Sequence, residues 1–340
     1  MNRIIIGNGQ FMQAGTLLKD MGIAGKVAVI SDDTVSELYG AQLQDILEKA
    51  GFEPFFHNIK PGEASKDLDN FGRIMVFLAK RQFTRSDVIV ALGGGVVGDI
   101  AGFAASVYLR GVQVVKIPTT LLACVDSSVG GKTGIDLPQG KNLVGAFWQP
   151  VMTLVDPTLL RSLPEGIYRD GLAEVVKYAA ICDAALYDLL PYDLSEEEKV
   201  ISRSISIKED IVSRDERDKG ERQLLNFGHS FGHAIERLSG YSLSHGRAVA
   251  IGMALMAKAS QSKSFCSPQD AGKLIGMLRV LGLPIDCPYD AEDIFQAMLL
   301  DKKRQQGNIT LVMMHAIGDC RLHSLPLSEA YEVLKLGLNA

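Results

Sequence analysis

Residues 87–99 read DVIVALGGGVVGD. The run Asp87–Leu92 is apolar after its first residue, without the polar alternation of a half-exposed strand. A strand buried on both faces has this pattern, as in a parallel sheet with helices packed on each side. Gly93, Gly94 and Gly95 follow, and a helix is predicted from Val96 to about Leu109. The glycines satisfy GxGxxG in the context that binds pyrophosphate. A strand leads through a tight turn to a helix N-terminus, where free N–H groups and the helix dipole attract anions. Close strand–helix packing alone would also call for glycine. The next strand, Val112–Ile117, ends at Pro118 without the acidic residue that standard dinucleotide folds place there. Asp32 and Asp33 instead follow an earlier strand, so the pattern points to a nucleotide site outside the standard Rossmann form.

The same alternation extends to both sides. Lys26–Ser31, Glu53–Ile59, Asp87–Leu92 and Val112–Ile117 read as strands, and Thr34–Ala50 and Leu68–Lys80 as intervening helices. After Asp156-Pro157 helical periodicity dominates. Helices are predicted over Glu165–Leu190, from Ser195 with Glu198 completing a capping box, and over Arg222–Leu238, Gly246–Phe265 and Pro268–Leu281. A small hairpin is expected from Asn308–Met314 and Arg321–Ser324. The fold class is therefore an α/β N-terminal nucleotide-binding domain with a mostly parallel sheet, residues 1–156, plus a mainly α-helical C-terminal domain, residues 157–340. A length of 340 residues is itself a prior for two domains.

Composition narrows the function. A net charge of −5 disfavours non-specific binding to nucleic acid or anionic lipid, so no nucleic acid and no membrane is expected as a partner. The five cysteines are odd in number, widely spaced and without CxxC, which disfavours a disulfide framework and a cysteine-only zinc site. The N-terminal apolar run is too short for a signal peptide, and the glycines interrupt the apolar stretch Val88–Leu109. These features give a cytoplasmic expectation. Val129-Gly130-Gly131-Lys132-Thr133 resembles a phosphate-binding loop, but Asp126 stands where its first glycine is needed.

Residues 226–233, NFGHSFGH, place His229 and His233 one helical turn apart, and His245-Gly246 opens the next helix. Glu174 is a candidate fourth member. Two histidines and a carboxylate make a catalytic type of metal site with an open coordination position. Ser230 occupies the place where zinc peptidases carry their general base, so a peptidase is disfavoured. A pair of hydrogen-bonded helix histidines is the simpler alternative. Gly228 and Gly232 cost helix stability and suggest the close approach of a ligand or another backbone. Lys177 lies three residues after Glu174. With Lys132, Lys141, Lys208, Arg222 and Lys302 it would suit an anionic substrate carrying phosphate or carboxylate.

The runs GGGVVGDIAGF (93–103), IPTTLLACVDSSVGGKTGID (117–136), GKNLVGAFWQP (140–150), GLAEVVKY (171–178), LNFGHSFGHAIE (225–236) and HGRAVAIGM (245–253) resemble the 3-dehydroquinate synthase family of sugar phosphate cyclases. The resemblance spans roughly residues 27 to 315. It implies an active site in the cleft between the two domains, NAD and a divalent metal, zinc or cobalt(II), as cofactors, and a lyase acting in the shikimate pathway. The substrate would be 3-deoxy-D-arabino-heptulosonate 7-phosphate and the products 3-dehydroquinate and phosphate. Glu174, His229 and His245 would bind the metal, and His233 would serve proton transfer near the substrate phosphate. Lys132, Asn142, Lys177, Lys208, Arg222, Asn226 and Lys302 would hold the substrate, with Asp126 touching substrate and cofactor surroundings. NAD would lie along Asp32, the Pro61–Lys66 segment with Glu63 and Lys66, then Gly94, Gly95, Val96, Gly98 and Asp99. It would continue along Thr119, Thr120, Lys132, Lys141 and the Leu159–Ser162 turn. Arg110 would reach the neighbouring subunit of a homodimer. Where the family usually has Glu two residues after its last metal-binding histidine, this chain has Arg247. Another sugar phosphate cyclase and a metal-dependent polyol dehydrogenase are the competing readings.

Overall fold

The computed structural model describes residues 3–191, 193–302 and 307–339, with the backbone alone at 301 and 302. Two compact units divide between Pro164 and Glu165. Residues 157–164 thus go with the first unit, past the 156/157 boundary read from the sequence. Side chains tie this turn down: Asp156 accepts from the backbone N–H of Gly9 (3.1 Å) and Phe11 (2.8 Å), and the Tyr39 hydroxyl donates to Leu159 O (2.9 Å).

The first unit is built on a six-stranded sheet in which every pairing is parallel. In chain order its strands are β1 (Arg3–Ile6), β2 (Lys26–Asp32), β3 (Glu53–Ile59), β4 (Val88–Gly93), β5 (Gln113–Pro118) and, after a separate hairpin of β6 (Lys132–Leu137) and β7 (Gly140–Phe147), β8 (Met152–Val155). The spatial order is β1-β8-β5-β4-β2-β3. The four strands read from the sequence form the centre and one edge; β8 and β1 extend the sheet beyond β5. Both are four-residue strands, too short to carry a pattern of their own. Side chains alternate between two cores. Val27, Val29, Val88, Val90, Leu92, Val115 and Ile117 enter one, and Ala28, Ile30, Ile89, Ala91 and Val114 the other. Full burial of each such valine, leucine or isoleucine is worth roughly 1.5–3 kcal/mol. The chain runs outward from β2 to β3 and returns past β2 to β4. That reversal makes a switch point at the carboxyl ends of β2 and β4, where open α/β sheets take their ligands.

The second unit is helical, with an antiparallel hairpin of β9 (Asn308–Ala316) and β10 (Asp319–Pro326). Helix His245–Ser262 is its centre. Almost every side chain from Ala248 to Ala259 is buried, as expected of a helix surrounded by others. It packs against helices Glu165–Cys182, His229–Leu238, Pro268–Val280 and Leu327–Asn339. Three predicted helices differ in detail. The first ends at Cys182, because Asp183 caps a separate turn, Ala184–Tyr187, by accepting from Leu186 N at 3.0 Å. The second begins at Glu197. Ser195 directs its N–H and hydroxyl to Asp193, at 2.7 and 2.5 Å, in place of the expected capping box. The third divides into a tight turn, Glu221–Asn226, and helix His229–Leu238, with Gly228 at φ +76° between them. Among the described residues, no helix is long and apolar enough to cross a membrane.

Candidate functional site

Two helices of the second unit begin on a histidine: His229 opens His229–Leu238 and His245 opens His245–Ser262. The two helices cross with their backbones in contact. A Cβ on Gly252 would lie 2.0 Å from Gly228 O, and one on Gly228 would lie 2.8 Å from both Val249 O and Met253 N. Gly228 and Gly232 therefore admit another backbone, one of the two explanations drawn from the sequence. This crossing brings the histidine rings together, with centroids of His229 and His245 5.2 Å apart.

Glu174 is fully buried on helix Glu165–Cys182 and is ion-paired to Lys177, itself 1% exposed. The other carboxylate oxygen, Oε1, takes no hydrogen bond. It lies 3.4 Å from His229 Nε2 and 3.5 Å from His245 Nε2. The second nitrogen of each ring faces an acceptor: His229 Nδ1 lies 3.1 Å from Phe227 O, and His245 Nδ1 lies 3.4 Å from Glu236 Oε2. Such partners fix the ring orientation and leave Nε2 as the donor atom toward Glu174. Ligands about 2.0–2.2 Å from a tetrahedral ion stand about 3.3–3.6 Å from one another. A buried, unsatisfied carboxylate oxygen with two imidazole nitrogens at nearly that separation fits a divalent cation. Burial pushes the Glu174 carboxyl up, but the Lys177 ammonium and His229 outweigh it and hold it well below the usual range. Burial also opposes the charge on His245, yet the neighbouring carboxylates of Glu174 and Glu236 raise its pKa to about 10.

His233 is exposed, with its ring 5.3 Å from that of His229 and 5.7 Å from that of His245. Lys208 and Arg222 are 6% and 2% exposed, on elements that pack against the Glu174 helix. Arg222 Nη1 donates to Glu216 O at 2.5 Å. Asn226 ends the Glu221–Asn226 turn and is exposed. Lys302 is the last residue of its helix, and its side chain lies outside the described residues.

In the first unit, Asp32, Gly94–Asp99, Thr119 and Thr120 gather at the carboxyl ends of β2, β4 and β5. Gly94 precedes helix Gly95–Val107 in extended backbone without a side-chain cap. Thr119 Oγ1 is buried and makes no hydrogen bond. An open helix N-terminus beside an unsatisfied hydroxyl suits an anionic nucleotide. Lys66, 4% exposed, places Nζ 3.0 Å from Glu63 Oε1, 3.2 Å from Asp99 Oδ2, 3.7 Å from Asp136 Oδ1 and 2.8 Å from Asn142 Oδ1. Lys141 Nζ lies 3.6 Å from the same Glu63 oxygen. Burial opposes the Lys66 charge, but Asp99 and Glu63 prevail and raise its pKa. Burial raises the Asp99 carboxyl despite Lys66 and Lys116. Asn142, read from the resemblance as a substrate residue, is thus joined to residues read as cofactor-binding. The Tyr39 hydroxyl ties Leu159 O to Ser162 Oγ, at 2.9 and 2.7 Å. Lys132 is exposed at the start of β6, and Asp126 sits half-buried in the turn Ala123–Ser127. Arg110 is exposed, with φ +66° between Leu109 at +50° and Gly111 at +123°.

Two contributors escaped the sequence reading. Glu236 follows His233 by three residues on one helix, so its spacing could have identified it. Asp136 accepts from Asn142 N at 2.7 Å and donates its own N–H to Lys66 O at 2.7 Å. It joins segments 70 residues apart, and no local pattern marks it.

The 3-dehydroquinate synthase N-terminal family model matches residues 56–170, and the C-terminal model matches residues 171–304. The 3-dehydroquinate synthase of Streptococcus sanguinis (strain SK36) is 44% identical, over 98% of this chain and 96% of its own. That of Thermodesulfovibrio yellowstonii is 42% identical, over 94% and 92%. Among solved structures, 2-epi-5-epi-valiolone synthase from Streptomyces hygroscopicus, with NAD+ and Zn2+ bound, aligns with a TM-score of 0.91 at 28% identity, over 100% of this chain and 97% of its own. A 2-deoxy-scyllo-inosose synthase complexed with carbaglucose-6-phosphate, NAD+ and Co2+ aligns at 0.88 and 25%, over 98% and 95%. An iron-containing alcohol dehydrogenase shares the fold alone, at 0.69 and 14%, over 100% and 98%. The full-length match in sequence, both family models and the site geometry agree: the chain belongs to the 3-dehydroquinate synthase family.

Proposed function

We propose that the chain converts 3-deoxy-D-arabino-heptulosonate 7-phosphate to 3-dehydroquinate and phosphate, the lyase reaction of its family in the shikimate pathway. The observation that carries this reading is the buried Glu174 oxygen facing His229 and His245, with Lys177 paired to Glu174 and the buried cations Lys208 and Arg222 on elements packed against its helix. The reaction combines a transient oxidation, β-elimination of phosphate, reduction, ring opening and intramolecular aldol closure. When bound, a divalent cation supplies a Lewis acid to a substrate hydroxyl, and NAD accepts and returns one hydride.

Glu174, His229 and His245 would hold the cation, and Lys177 keeps the Glu174 carboxyl ionised for it. Lys208, Arg222 and Lys302 would bind the phosphate and carboxylate of the substrate, and Asn226 its hydroxyls. Arg can grip either anion in bidentate fashion. His233, exposed next to the two ring nitrogens, would carry a proton near the leaving phosphate. From the first unit, Lys132, Asn142 and Asp126 would meet the substrate. The open Gly95 helix terminus and the Lys66 network would hold NAD. Confinement then favours the aldol step by holding both ends of the chain at high effective concentration. A polyol dehydrogenase would not need these buried cations. The chain would act as a cytoplasmic homodimer, with Arg110 reaching the partner's site from its left-handed backbone turn.

Phosphate release from the heptulosonate phosphate, with zinc and catalytic NAD, tests the reading. Many turnovers per NAD with dehydroquinate formed are expected. Release of NADH in proportion to product, without phosphate, would instead establish a dehydrogenase.

A further inference from the structure

We infer that Asp170 positions His245 for the metal by acting as the capping carboxylate that the His245 helix itself lacks. Helix His245–Ser262 starts after Ser244, whose side chain makes no cap bond of its own. At such a start the N-cap serine usually pairs with an acidic residue three positions on. Here that position is Arg247, exposed and of the charge least suited to a helix N-terminus. Both groups turn to Asp170. The Ser244 hydroxyl donates to Asp170 Oδ1 at 2.6 Å, and the Arg247 backbone N–H donates to the same oxygen at 3.0 Å. Gly246 permits the approach: a Cβ there would lie 2.0 Å from Asp170 O and 2.8 Å from its Oδ1.

Asp170 stands on helix Glu165–Cys182 one turn before Glu174, on the same face. One helix therefore presents two carboxylates on successive turns. The first fixes the start of the His245 helix, and the second faces His245 Nε2. The separation of His245 from Glu174 is set through hydrogen bonds to a rigid element. Position 247 contributes its backbone N–H, so the departure at Arg247 falls at the capping position of this helix.

This inference rests on reading Glu174, His229 and His245 as the metal site. Its test is Co2+ affinity by chelator competition on the full chain, with the visible Co2+ spectrum as the geometric readout and circular dichroism as the control for folding. Asp170→Ala should weaken binding about tenfold or more, as loss of outer partners commonly does, and alter the spectrum. Asp170→Asn, whose amide oxygen accepts both bonds, and Arg247→Glu should stay within about threefold of the unmodified chain. Asp170→Ala/Arg247→Glu should recover most of the loss, because the introduced glutamate completes a capping box with Ser244. Unchanged affinity in Asp170→Ala, or no recovery in the double variant, would overturn the inference. If Asp170→Ala does not fold, the double variant decides alone: affinity within about threefold of the unmodified chain upholds the inference, and a tenfold loss overturns it. An unmodified chain that binds no Co2+, or equal binding by His229→Ala, would instead remove the metal reading beneath it.

Discussion

Glu174 Oε1 and His229 Nε2 stand 3.4 Å apart, too far for a good hydrogen bond and too close to be unrelated in a site where the carboxylate oxygen accepts nothing else. The separation is that of two ligands on one ion. Glu174→Gln keeps the volume but removes the charge, leaving Lys177 buried opposite a neutral amide. The variant should lose Co2+ binding by more than about 100-fold and lose turnover with it. It should also be about 3–5 kcal/mol less stable, the usual cost of breaking a buried ion pair. Retention of Co2+ affinity in a folded variant would refute the assignment. Chelation should lower the Tm of the unmodified chain and leave that of Glu174→Gln unmoved, because only a bound ion stabilises the folded state.

The crossing of the two histidine helices is the second place to test. A methyl group on Gly252 would lie 2.0 Å from Gly228 O, which leaves no room for any side chain. Gly252→Ala must push the helices apart, and such overpacking costs about 1–3 kcal/mol or more. Because His229 follows Gly228 directly, metal affinity should fall with stability. A control at Gly272, where a Cβ meets nothing within 4 Å, should be neutral or slightly stabilising. Equal effects of the two substitutions in thermal denaturation and Co2+ titration would refute the account.

Much of this site could be read from local spacing. His229 and His233 share one helix, Lys177 follows Glu174 by one turn, and the glycines after β4 mark a helix start. The first two lie within one helix, where the 3.6-residue period is reliable, and the third is a turn signal between neighbouring elements. The breaks were less legible. The helix predicted over Arg222–Leu238 contains enough apolar periodicity to look continuous, and only contact with Val249 and Met253 makes Gly228 a break. Asp136 and Asp170 act on residues of other elements, which no spacing within their own element identifies; Glu236 has helical spacing to His233 but acts on His245 of the next helix. β1 and β8 are similar cases. Their pairing is decided by the growth of a sheet edge, since four residues do not specify a strand.

Lys66 is shared by Glu63, Asp99, Asp136 and Asn142, all in the first unit. Lys66→Met should leave three carboxylates around an apolar chain and weaken NAD binding at least about tenfold, given the few kcal/mol at stake in a buried ionic cluster. Co2+ affinity, a property of the second unit, should not change. Calorimetric titration with NAD and with Co2+ separates the two, and a parallel loss of both would indicate general unfolding.

Asp183 gives a pH dependence with a definite sign. Burial raises its carboxyl, but hydrogen bonds from Arg203 and the Leu186 N–H prevail and lower it. A depressed pKa contributes stability that is present above the unfolded value, about 3.9, and is lost as pH falls through the folded one. Asp183→Ala should therefore cost about 1–2 kcal/mol at pH 7, allowing for the half-exposed Arg203. The gap from the unmodified chain should narrow below about pH 4. A gap in urea denaturation that is constant from pH 7 to pH 3 would assign the effect to packing.

Arg110 tests the proposed dimer. Its φ of +66°, next to Leu109 at +50°, is a conformation that costs a non-glycine residue free energy, and the turn leaves its side chain exposed. If it acts on the partner's substrate, Arg110→Ala and Lys177→Ala should each be nearly inactive alone. Mixed and allowed to exchange subunits, they form heterodimers with one site that lacks both side chains and one that lacks neither. At full exchange half of the dimers are mixed, so activity should return to about a quarter of that of the unmodified chain. Arg110 acting within its own subunit gives no recovery, because every site in the mixture then lacks one of the two residues. A chain that runs as a monomer at the assay concentration in analytical ultracentrifugation would exclude the arrangement outright.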